Sequence, residues 1–232
     1  MTSPKGKTCR VKVTKDGPLI ATGGIPLAQD IVVLGDDAKP ERWKKGPGYP
    51  SQESCGLCRC GASRNKPFCD GAHVASGFDG SETAPKTGTL DRTERTAGEE
   101  IDLTWSEELC EAARFCLAGD DAWTYAERSS DPEARKKAVN QACACPSGSL
   151  TAWDKKTGRM IEPDLEPSIG LIESPQEGTS GPIWIKGGIP IESADGAEYE
   201  VRNRVTLCRC GKSQNKPFCD GTHVATGFKS GR

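Results

Sequence analysis

The sequence predicts an α+β protein in which two small β-rich units flank a segment of a different kind. Three observations predict this organisation. A sixteen-residue stretch rich in cysteine, Cys58–His73, recurs almost letter for letter at Cys208–His223. Ahead of each copy lies a second repeat, Gly17–Leu27 and Gly181–Ile191. The residues between the two units match neither repeat and contain cysteines of their own.

Composition favours several small modules over one thick core. The chain has 232 residues, of which 34% are hydrophobic and 12 are cysteine. Small modules with little hydrophobic core need additional cross-links to be stable. Cysteine-rich chains obtain these cross-links from disulfides or bound metals. The start, Met1–Lys7, has no apolar stretch that suits a signal peptide, so we expect reduced, metal-binding cysteines and a cytoplasmic location. No apolar run reaches the length of about 18 residues that a membrane span needs, so we expect no membrane anchor.

Each unit is predicted to consist of a few strands followed by a ligand loop. Apolar residues alternate or cluster in Cys9–Val13 and Ile183–Ile185, which is typical of strands. The two repeats are offset by different amounts, so the first unit carries about fourteen extra residues around Lys39–Ser54. The Pro and Gly content of that insertion predicts a loop.

The middle of the chain is predicted to hold a linker, two helices and a hairpin. Asp79–Gly98 has the composition of a linker. Thr104–Cys116 is predicted to be helical, with Thr104 and Glu107 forming a capping box. A second helix is expected from Asp131–Pro132 to about Ala142, and a hairpin around Lys156–Gly158. We therefore divide the chain into residues 1–80, a linker at 81–103, a middle cluster segment at 104–160, and residues 161–232.

The repeated stretch has the ligands of a metal or cluster site. It holds three cysteines and a histidine, and the two copies contain both histidines of the protein. Cys58 and Cys60 can reach one iron if the backbone turns tightly at Gly61. Cys69 and His73 can reach a second iron if a helical turn begins near the preceding proline. Two pairs suit a 2Fe-2S centre better than zinc, whose paired cysteines are usually two to four residues apart, although zinc stays an alternative.

The pattern Cys-x-Cys-x2-Ser-x3-Pro-x-Cys-Asp-Gly-x-His resembles the CDGSH iron-sulfur domain, or NEET family, over about a third of the chain. Ala72 and Thr222 replace the serine of the naming pentapeptide, and neither replacement removes a ligand. The resemblance implies two 2Fe-2S clusters and an intramolecular pseudo-dimer of the two units, hence a monomer with internal pseudo-twofold symmetry. The implied ligands of the two clusters are Cys58, Cys60, Cys69 and His73, and Cys208, Cys210, Cys219 and His223.

The middle segment resembles a divergent single-cluster ferredoxin, so the fold expectation includes a small ferredoxin-like α/β insert. Cys110 and Cys116 are followed some thirty residues later by the Cys-Pro pair at Cys145, and Ala113 stands where a central cysteine would be. Three cysteines suit a 3Fe-4S cluster. Cys143 is a possible fourth ligand that would restore 4Fe-4S. Buried free cysteines in a helical hairpin are the plainer alternative.

Each residue beside the candidate ligands has two possible roles. Asp70 either caps the short helix or accepts hydrogen bonds near the cluster. Ser63 either donates toward cluster sulfur or forms a turn. Arg59 and Arg209 either offset cluster charge or form ordinary solvated surface. Cys9 and Cys55 have no counterpart in the repeat and are expected to be spare thiols.

Charge and motifs limit the possible functions. The net charge is −2, yet Glu99–Glu133 contains eleven acids and two bases, which is either solvated surface or a face that docks partner proteins. No basic stripe with aromatics indicates nucleic acid, no Gly-rich loop indicates nucleotide, and both histidines serve as ligands, so we expect no enzyme.

The favoured function is one-electron transfer to or from a redox partner protein. The alternatives are an iron-sulfur cluster donor to apo acceptor proteins, a redox or pH sensor, and a zinc-stapled interaction protein. A histidine ligand raises the potential and makes the centre sensitive to protonation, which suits both the carrier and the donor or sensor.

Overall fold

Strands dominate the described part of the chain, residues 9–231, in a computed structural model of mixed α+β class. The polar start Met1–Lys7 lies outside the described residues. Four short helices accompany the described strands: α1 (Ala72–Ala75), α2 (Ala122–Glu127), α3 (Pro132–Ala144) and α4 (Thr222–Ala225). The strands are β1 (Arg10–Val13), β2 (Leu19–Thr22), β3 (Leu27–Leu34), β4 (Pro40–Gly48), β5 (Ser54–Leu57), β6 (Glu94–Thr96), β7 (Ile101–Trp105), β8 (Leu150–Asp154), β9 (Arg159–Ile161), β10 (Ser168–Ser174), β11 (Thr179–Lys186), β12 (Ile191–Glu192) and β13 (Arg204–Leu207).

Two of the three sheets contain strands from both halves of the chain. One sheet has the order β12-β1-β2-β5 and the other β13-β11-β10-β3-β4. In the first, β1 pairs in parallel with β12, so that Val11 faces Ile191. In the second, β10 pairs in parallel with β3, so that Ile169 faces Leu27. The predicted boundaries at residues 80 and 161 therefore divide the chain but not its sheets.

The repeated Gly-Gly-Ile-Pro sequence marks the place where the chain crosses from one sheet to the other. It connects β2 to β3 in the first half and β11 to β12 in the second half. Both glycines of each copy have positive φ, for example 73° at Gly187 and 70° at Gly188. Only glycine adopts two such conformations in succession at low cost. The second repeat of the sequence is thus a pair of crossover turns.

One hydrophobic core serves both halves. It combines buried residues of the first half, such as Val11 and Leu57, with residues of the second half, such as Ile169 and Leu207. Each of these four side chains is at most 2% exposed. We expected separate small modules from the low hydrophobic content. That content suffices for a joint core because strands from distant parts of the chain close it together, with Val11 beside Ile191 and Leu27 beside Ile169.

The insertion of the first unit is a strand, although composition predicted a loop. β4 pairs antiparallel with β3 and forms the edge of the five-stranded sheet. Its Pro and Gly residues fit an edge, where unpaired backbone faces outward. A side chain at Gly46 would begin 2.8 Å from Cβ of Gln29, so glycine lets the strands approach. Trp43 anchors β4 by donating to the carbonyl of Ala144 at 3.0 Å.

The middle segment forms its own sheet, β6-β7-β8-β9, packed against α2 and α3. The predicted second helix is confirmed, with Asp131 as N-cap accepting from the amide of Ala134 at 3.1 Å. The predicted hairpin is also confirmed, since Asp154 pairs with Arg159. The sheet begins at Glu94, inside the range that we assigned to the linker. No described helix is long and apolar enough to cross a membrane.

The prediction of a helix at Thr104–Cys116 is wrong. Thr104 belongs to β7 and pairs with Thr151 of β8, so it caps no helix. Between Trp105 and Ala118 the chain forms only two single 3-10 turns, Glu107–Leu109 and Phe115–Leu117. Hydrogen bonds to the neighbouring strand outweigh the local capping signal.

A buried ion pair joins the two halves. Lys186 of β11 donates to Asp30 of β3 at 2.5 Å across β10, and both side chains are 5% exposed. Burial lowers the pKa of Lys186. The strand between them carries Gly170, where a Cβ would lie 1.9 Å from Asp30 Oδ2.

We expect Lys186→Met to lower the free energy of unfolding by about 3 kcal/mol, because the buried Asp30 carboxylate then keeps only the exposed Lys45, whose amine is 3.6 Å away. The double variant K186M/D30L should lose about 1 kcal/mol or less. Lys12→Met is the matched control, because Lys12 also pairs across the halves, with Glu192 at 2.6 Å, but is 48% exposed. Its cost should be below about 1 kcal/mol in denaturant unfolding. Equal costs for K186M and K12M would contradict the assignment.

Candidate metal centres

The first quartet lies in the loop that follows β5 and in helix α1. Cys58 follows the end of β5, and its amide donates to the carbonyl of Pro67 at 2.8 Å. The Sγ atoms of Cys58 and Cys60 are 3.6 Å apart. Sγ of Cys69 lies 3.4 Å from Nδ1 of His73. The four predicted ligands are therefore arranged as two close pairs.

The second quartet repeats this arrangement after β13. The Sγ atoms of Cys208 and Cys210 are 3.9 Å apart. Sγ of Cys219 lies 3.4 Å from Nδ1 of His223. The amide of Cys208 again donates to a proline carbonyl, that of Pro217, at 2.8 Å.

Two pairs of donors fit a two-iron centre. Within residues 9–231, no group of three or more His, Cys, Asp or Glu side chains closes around a single metal-ion position. The fit rests on the pairing and on the donor set, since thiolates and one imidazole are iron-sulfur ligands. Zinc needs the same atoms in one tetrahedron. If clusters bind here, each iron would be held by one pair.

The ionisation of the second quartet suits metal binding. The Cys208 thiolate accepts a hydrogen bond from Cys210, which lowers the pKa of Cys208 to about 6. The same bond and burial raise the pKa of Cys210. Burial lowers the pKa of His223 to about 4, so its imidazole is neutral at physiological pH, as a ligand must be.

Asp70 organises the loop between the two pairs of the first quartet. Its carboxylate accepts from the amide of Arg64 at 2.8 Å and from the amide of Ala72 at 3.1 Å. The bond from Arg64 is the main reason that the pKa of Asp70 is lowered. The helical turn begins at Ala72, whereas we predicted a start near Pro67. Cys69 and His73 still meet, because the bonds of Asp70 to the amides of Arg64 and Ala72 fix the loop ahead of the turn.

The other side chains beside the first quartet have structural roles. Ser63 Oγ donates to the carbonyl of Phe68 at 2.7 Å and accepts from the amide of Asn65 at 3.0 Å, which makes it a turn former. Arg59 is 2% exposed and donates to the carbonyls of Gly17, Thr14 and Gly80. We expected Arg59 and Arg209 to offset cluster charge or to be solvated surface, whereas both are buried anchors of loop backbone or carboxylate.

The ligand loops of the two quartets contact each other through their backbones, in a reciprocal way. A side chain on Gly61 would begin 2.6 Å from the carbonyl oxygen of Cys210, and one on Gly211 would begin 2.5 Å from that of Cys60. Both glycines have positive φ, 77° and 79°. A surface cavity of about 530 Å³ between the loops is lined by both Cys60 and Cys210. The glycines that turn each ligand loop therefore also let the loops touch.

Three of the four candidate ligands in the middle segment converge. Cys110, Cys116 and Cys145 line one small cavity of about 30 Å³. Burial raises the pKa of Cys116 to about 12. Cys143 does not line the cavity; its Sγ lies 3.8 Å from the carbonyl of Ile161. Three thiols fit a cluster with three cysteine ligands, and the structure gives no support to Cys143 as the fourth.

The loop between Cys110 and Cys116 carries the strain of bringing the thiols together. Ala112 and Arg114 adopt positive φ, 65° and 63°, which non-glycine residues do at a cost. The helix predicted here would have spaced the thiols along its axis instead. Departure from the helix thus allows both cysteines to face Cys145.

The middle segment is docked on the second quartet. Arg204 of β13 donates to the carbonyl of Cys145 at 2.8 Å, and Asn215 donates to that of Glu108 at 2.8 Å. Glu111 is 3% exposed, and its Oε2 lies 3.9 Å from Nε2 of His223. Burial raises the pKa of Glu111 to about 8. Sequence analysis did not identify Glu111 or Arg204 as residues of the site. The one signal in the sequence was the position of Glu111 directly after Cys110.

The two thiols that we predicted to be spare, Cys9 and Cys55, pack against the hydrophobic core. Sγ of Cys9 lies 3.8 Å from the carbonyl of Gly23. Burial raises the pKa of Cys55, which keeps its thiol protonated.

Ala112→Gly should raise the free energy of unfolding by about 1 kcal/mol, because glycine adopts this positive φ without strain. Ala113→Gly is the matched control in the same loop; Ala113 packs beside Phe115, and its loss should cost about 1 kcal/mol. Thermal unfolding of the two variants measures the difference. A loss of stability in A112G would refute the strained geometry.

Comparisons with known proteins match the segments that contain these sites. The family described as iron-binding zinc finger CDGSH type matches residues 16–74 and 180–224. The family described as divergent 4Fe-4S mono-cluster matches residues 96–155. Comparison with curated proteins and with solved structures gave no match. The chain is therefore an iron-sulfur protein with two CDGSH segments on either side of a divergent 4Fe-4S mono-cluster segment.

Proposed function

We propose that this protein is a one-electron carrier with three iron-sulfur centres and no enzymatic activity of its own. A bound cluster supplies reversible uptake of one electron. The proposed 2Fe-2S ligands are Cys58, Cys60, Cys69 and His73, and Cys208, Cys210, Cys219 and His223; the proposed ligands of the middle cluster are Cys110, Cys116 and Cys145. Its partners would be redox proteins of a cytoplasm-like, reducing compartment.

The observation that carries this proposal is the contact of the ligand loops in series. The loop of Cys60 touches that of Cys210 through Gly61 and Gly211. The loop of Cys110 touches the second quartet, since a side chain on Gly221 would begin 3.1 Å from the Cys110 carbonyl oxygen. Three centres held in backbone contact suit passage of electrons along the chain. A metal site with a purely structural role would not require its ligand loop to contact the ligand loops of other sites.

We further propose that the two CDGSH units form an intramolecular pseudo-dimer, so that the protein acts as a monomer. The equivalent strand orders of the two sheets support this, as do the reciprocal glycine contacts. If the two halves of the chain are exchanged, the parallel pair of β1 with β12 corresponds to the parallel pair of β10 with β3.

The middle centre is proposed to be 3Fe-4S, with 4Fe-4S as the alternative. Three thiols at one cavity favour the former, and the description of the matching family favours the latter. Paramagnetic resonance separates them, because a 3Fe-4S cluster is paramagnetic when oxidised and a 4Fe-4S ferredoxin cluster when reduced.

Cys145→Ser should abolish the middle signal, because it removes a thiol of the cavity, while Cys143→Ser should retain it. Iron and sulfide counts together with paramagnetic resonance on anaerobically purified protein measure both. Equal loss in the two variants would contradict the three-cysteine site.

Each histidine is expected to raise the potential of its centre, because a neutral imidazole makes the site less negative than a fourth thiolate. His73→Cys should therefore lower the potential of one 2Fe-2S centre by on the order of 100 mV. His223→Cys should do the same to the other. Potentiometry with both variants assigns the two signals. Absence of reversible reduction in the wild-type protein would overturn the electron-carrier function.

A cluster-donor role is the second candidate, favoured by the partial exposure of the first quartet, in which Cys60, Cys69 and His73 are all accessible to solvent. Mixing the loaded protein with an apo-ferredoxin tests this role, and no gain of acceptor absorbance would reject it. Zinc-stapled modules, the third candidate, would give colourless protein rich in zinc by elemental analysis.

A further inference from the structure

The two CDGSH quartets have the same ligands but different surroundings. All four ligands of the second quartet are buried, and His223 is 6% exposed. In the first quartet only Cys58 is buried. The equivalent glycines show the cause: a side chain on Gly71 would meet nothing within 4 Å, whereas one on Gly221 would meet the carbonyl of Cys110 at 3.1 Å. The middle segment therefore covers the second quartet alone.

Glu111 is the side chain that the middle segment presents to the second quartet. Its Oε2 lies 3.9 Å from Nε2 of His223, and its buried Oε1 has no hydrogen-bond partner in the structure. Among residues 9–231, no carboxylate forms a corresponding ion pair with His73. The two imidazoles thus differ in what faces their outer nitrogen.

The ligand geometry gives this contact a chemical meaning. Nδ1 of His223 faces Cys219 Sγ at 3.4 Å, so Nδ1 is the nitrogen on the ligand side. Nε2 then carries the proton, and a histidine ligand is usually fixed by a hydrogen bond from that second nitrogen. A carboxyl oxygen accepts an N–H whether the group is ionised or neutral. The separation of 3.9 Å is longer than a hydrogen bond, so the proposed bond requires a change in the side-chain torsions of Glu111.

Packing alone does not account for Glu111. A buried carboxyl without a hydrogen-bonded partner costs stability, and an apolar side chain of similar size would avoid that cost. The cost is offset if a carboxyl oxygen of Glu111 accepts a hydrogen bond from Nε2–H of His223.

We propose that Glu111 is a positioning residue for His223, which accepts its Nε2–H, keeps Nδ1 turned toward the metal, and so makes the second site retain its cluster more tightly than the first. This inference rests on the proposed function in one respect, that both quartets hold 2Fe-2S clusters. The covered site would be the permanent centre, and the open site the exchangeable one.

Cluster loss to an iron chelator, followed by visible absorbance, tests the proposal in the full chain. Cys58→Ser isolates the second site and Cys208→Ser isolates the first. In the C58S background, Glu111→Leu should speed loss about 10-fold, the usual effect of removing such a partner, whereas Glu111→Gln, which keeps an acceptor oxygen, should stay near the parent. In the C208S background, E111L should leave the rate unchanged. Glu107→Leu, at an exposed acid of the same segment, is the matched control.

Two further measurements keep the outcomes distinct. Thermal unfolding should show E111L as stable as its parent or more so, which separates loss of cluster from loss of fold. Pulsed paramagnetic resonance should show an altered histidine-nitrogen coupling in the second site of E111L and not in E111Q. Unchanged loss in E111L, or equal loss in E111Q, overturns the role of Glu111 while the clusters stand. Protein without iron in either quartet overturns the proposed function, and this inference with it.

Discussion

Parallel pairing between strands from opposite halves of the chain is the constraint on which the rest of the structure depends. β1 meets β12 and β3 meets β10, so neither half can complete its sheet without the other. The pairing closes one core from two hydrophobic sets that are each too small to be stable alone. It also brings the two quartets together, because β5 and β13 lead directly into them.

Glycine and buried cations convert this scaffold into paired ligand sites. Gly61 and Gly211 turn the loops and let each approach the backbone of the other. Buried Arg59 and Arg209 hold the same loops from beneath, since their guanidinium groups bond backbone carbonyls and a carboxylate. Site geometry is thus fixed by backbone contacts and by buried guanidinium groups that donate to backbone carbonyls and to the Glu173 carboxylate, which keeps ligands in place with little apolar surface.

The middle segment breaks the symmetry that the repeat establishes. Its sheet and helices dock on the second unit through Arg204 and Glu111, and they leave the first quartet open. Chemically similar quartets therefore meet different surroundings within one molecule. In the proposed carrier role this difference would let the exposed site exchange electrons with partners while the covered site stays isolated from solvent.

The pairing of the candidate ligands follows from sequence, because it depends on spacings of a few residues. Cys58 and Cys60, or Cys69 and His73, meet through local backbone geometry that residue type and spacing encode. Local signals also predicted α3 correctly, yet failed at Thr104 and at β4, where bonds to a neighbouring strand decide. The shared sheets, the burial of Arg59 and the placement of Glu111 beside His223 arose only in the tertiary structure. Contacts between residues more than a hundred positions apart depend on how sheets pair and pack, and no local pattern specifies that.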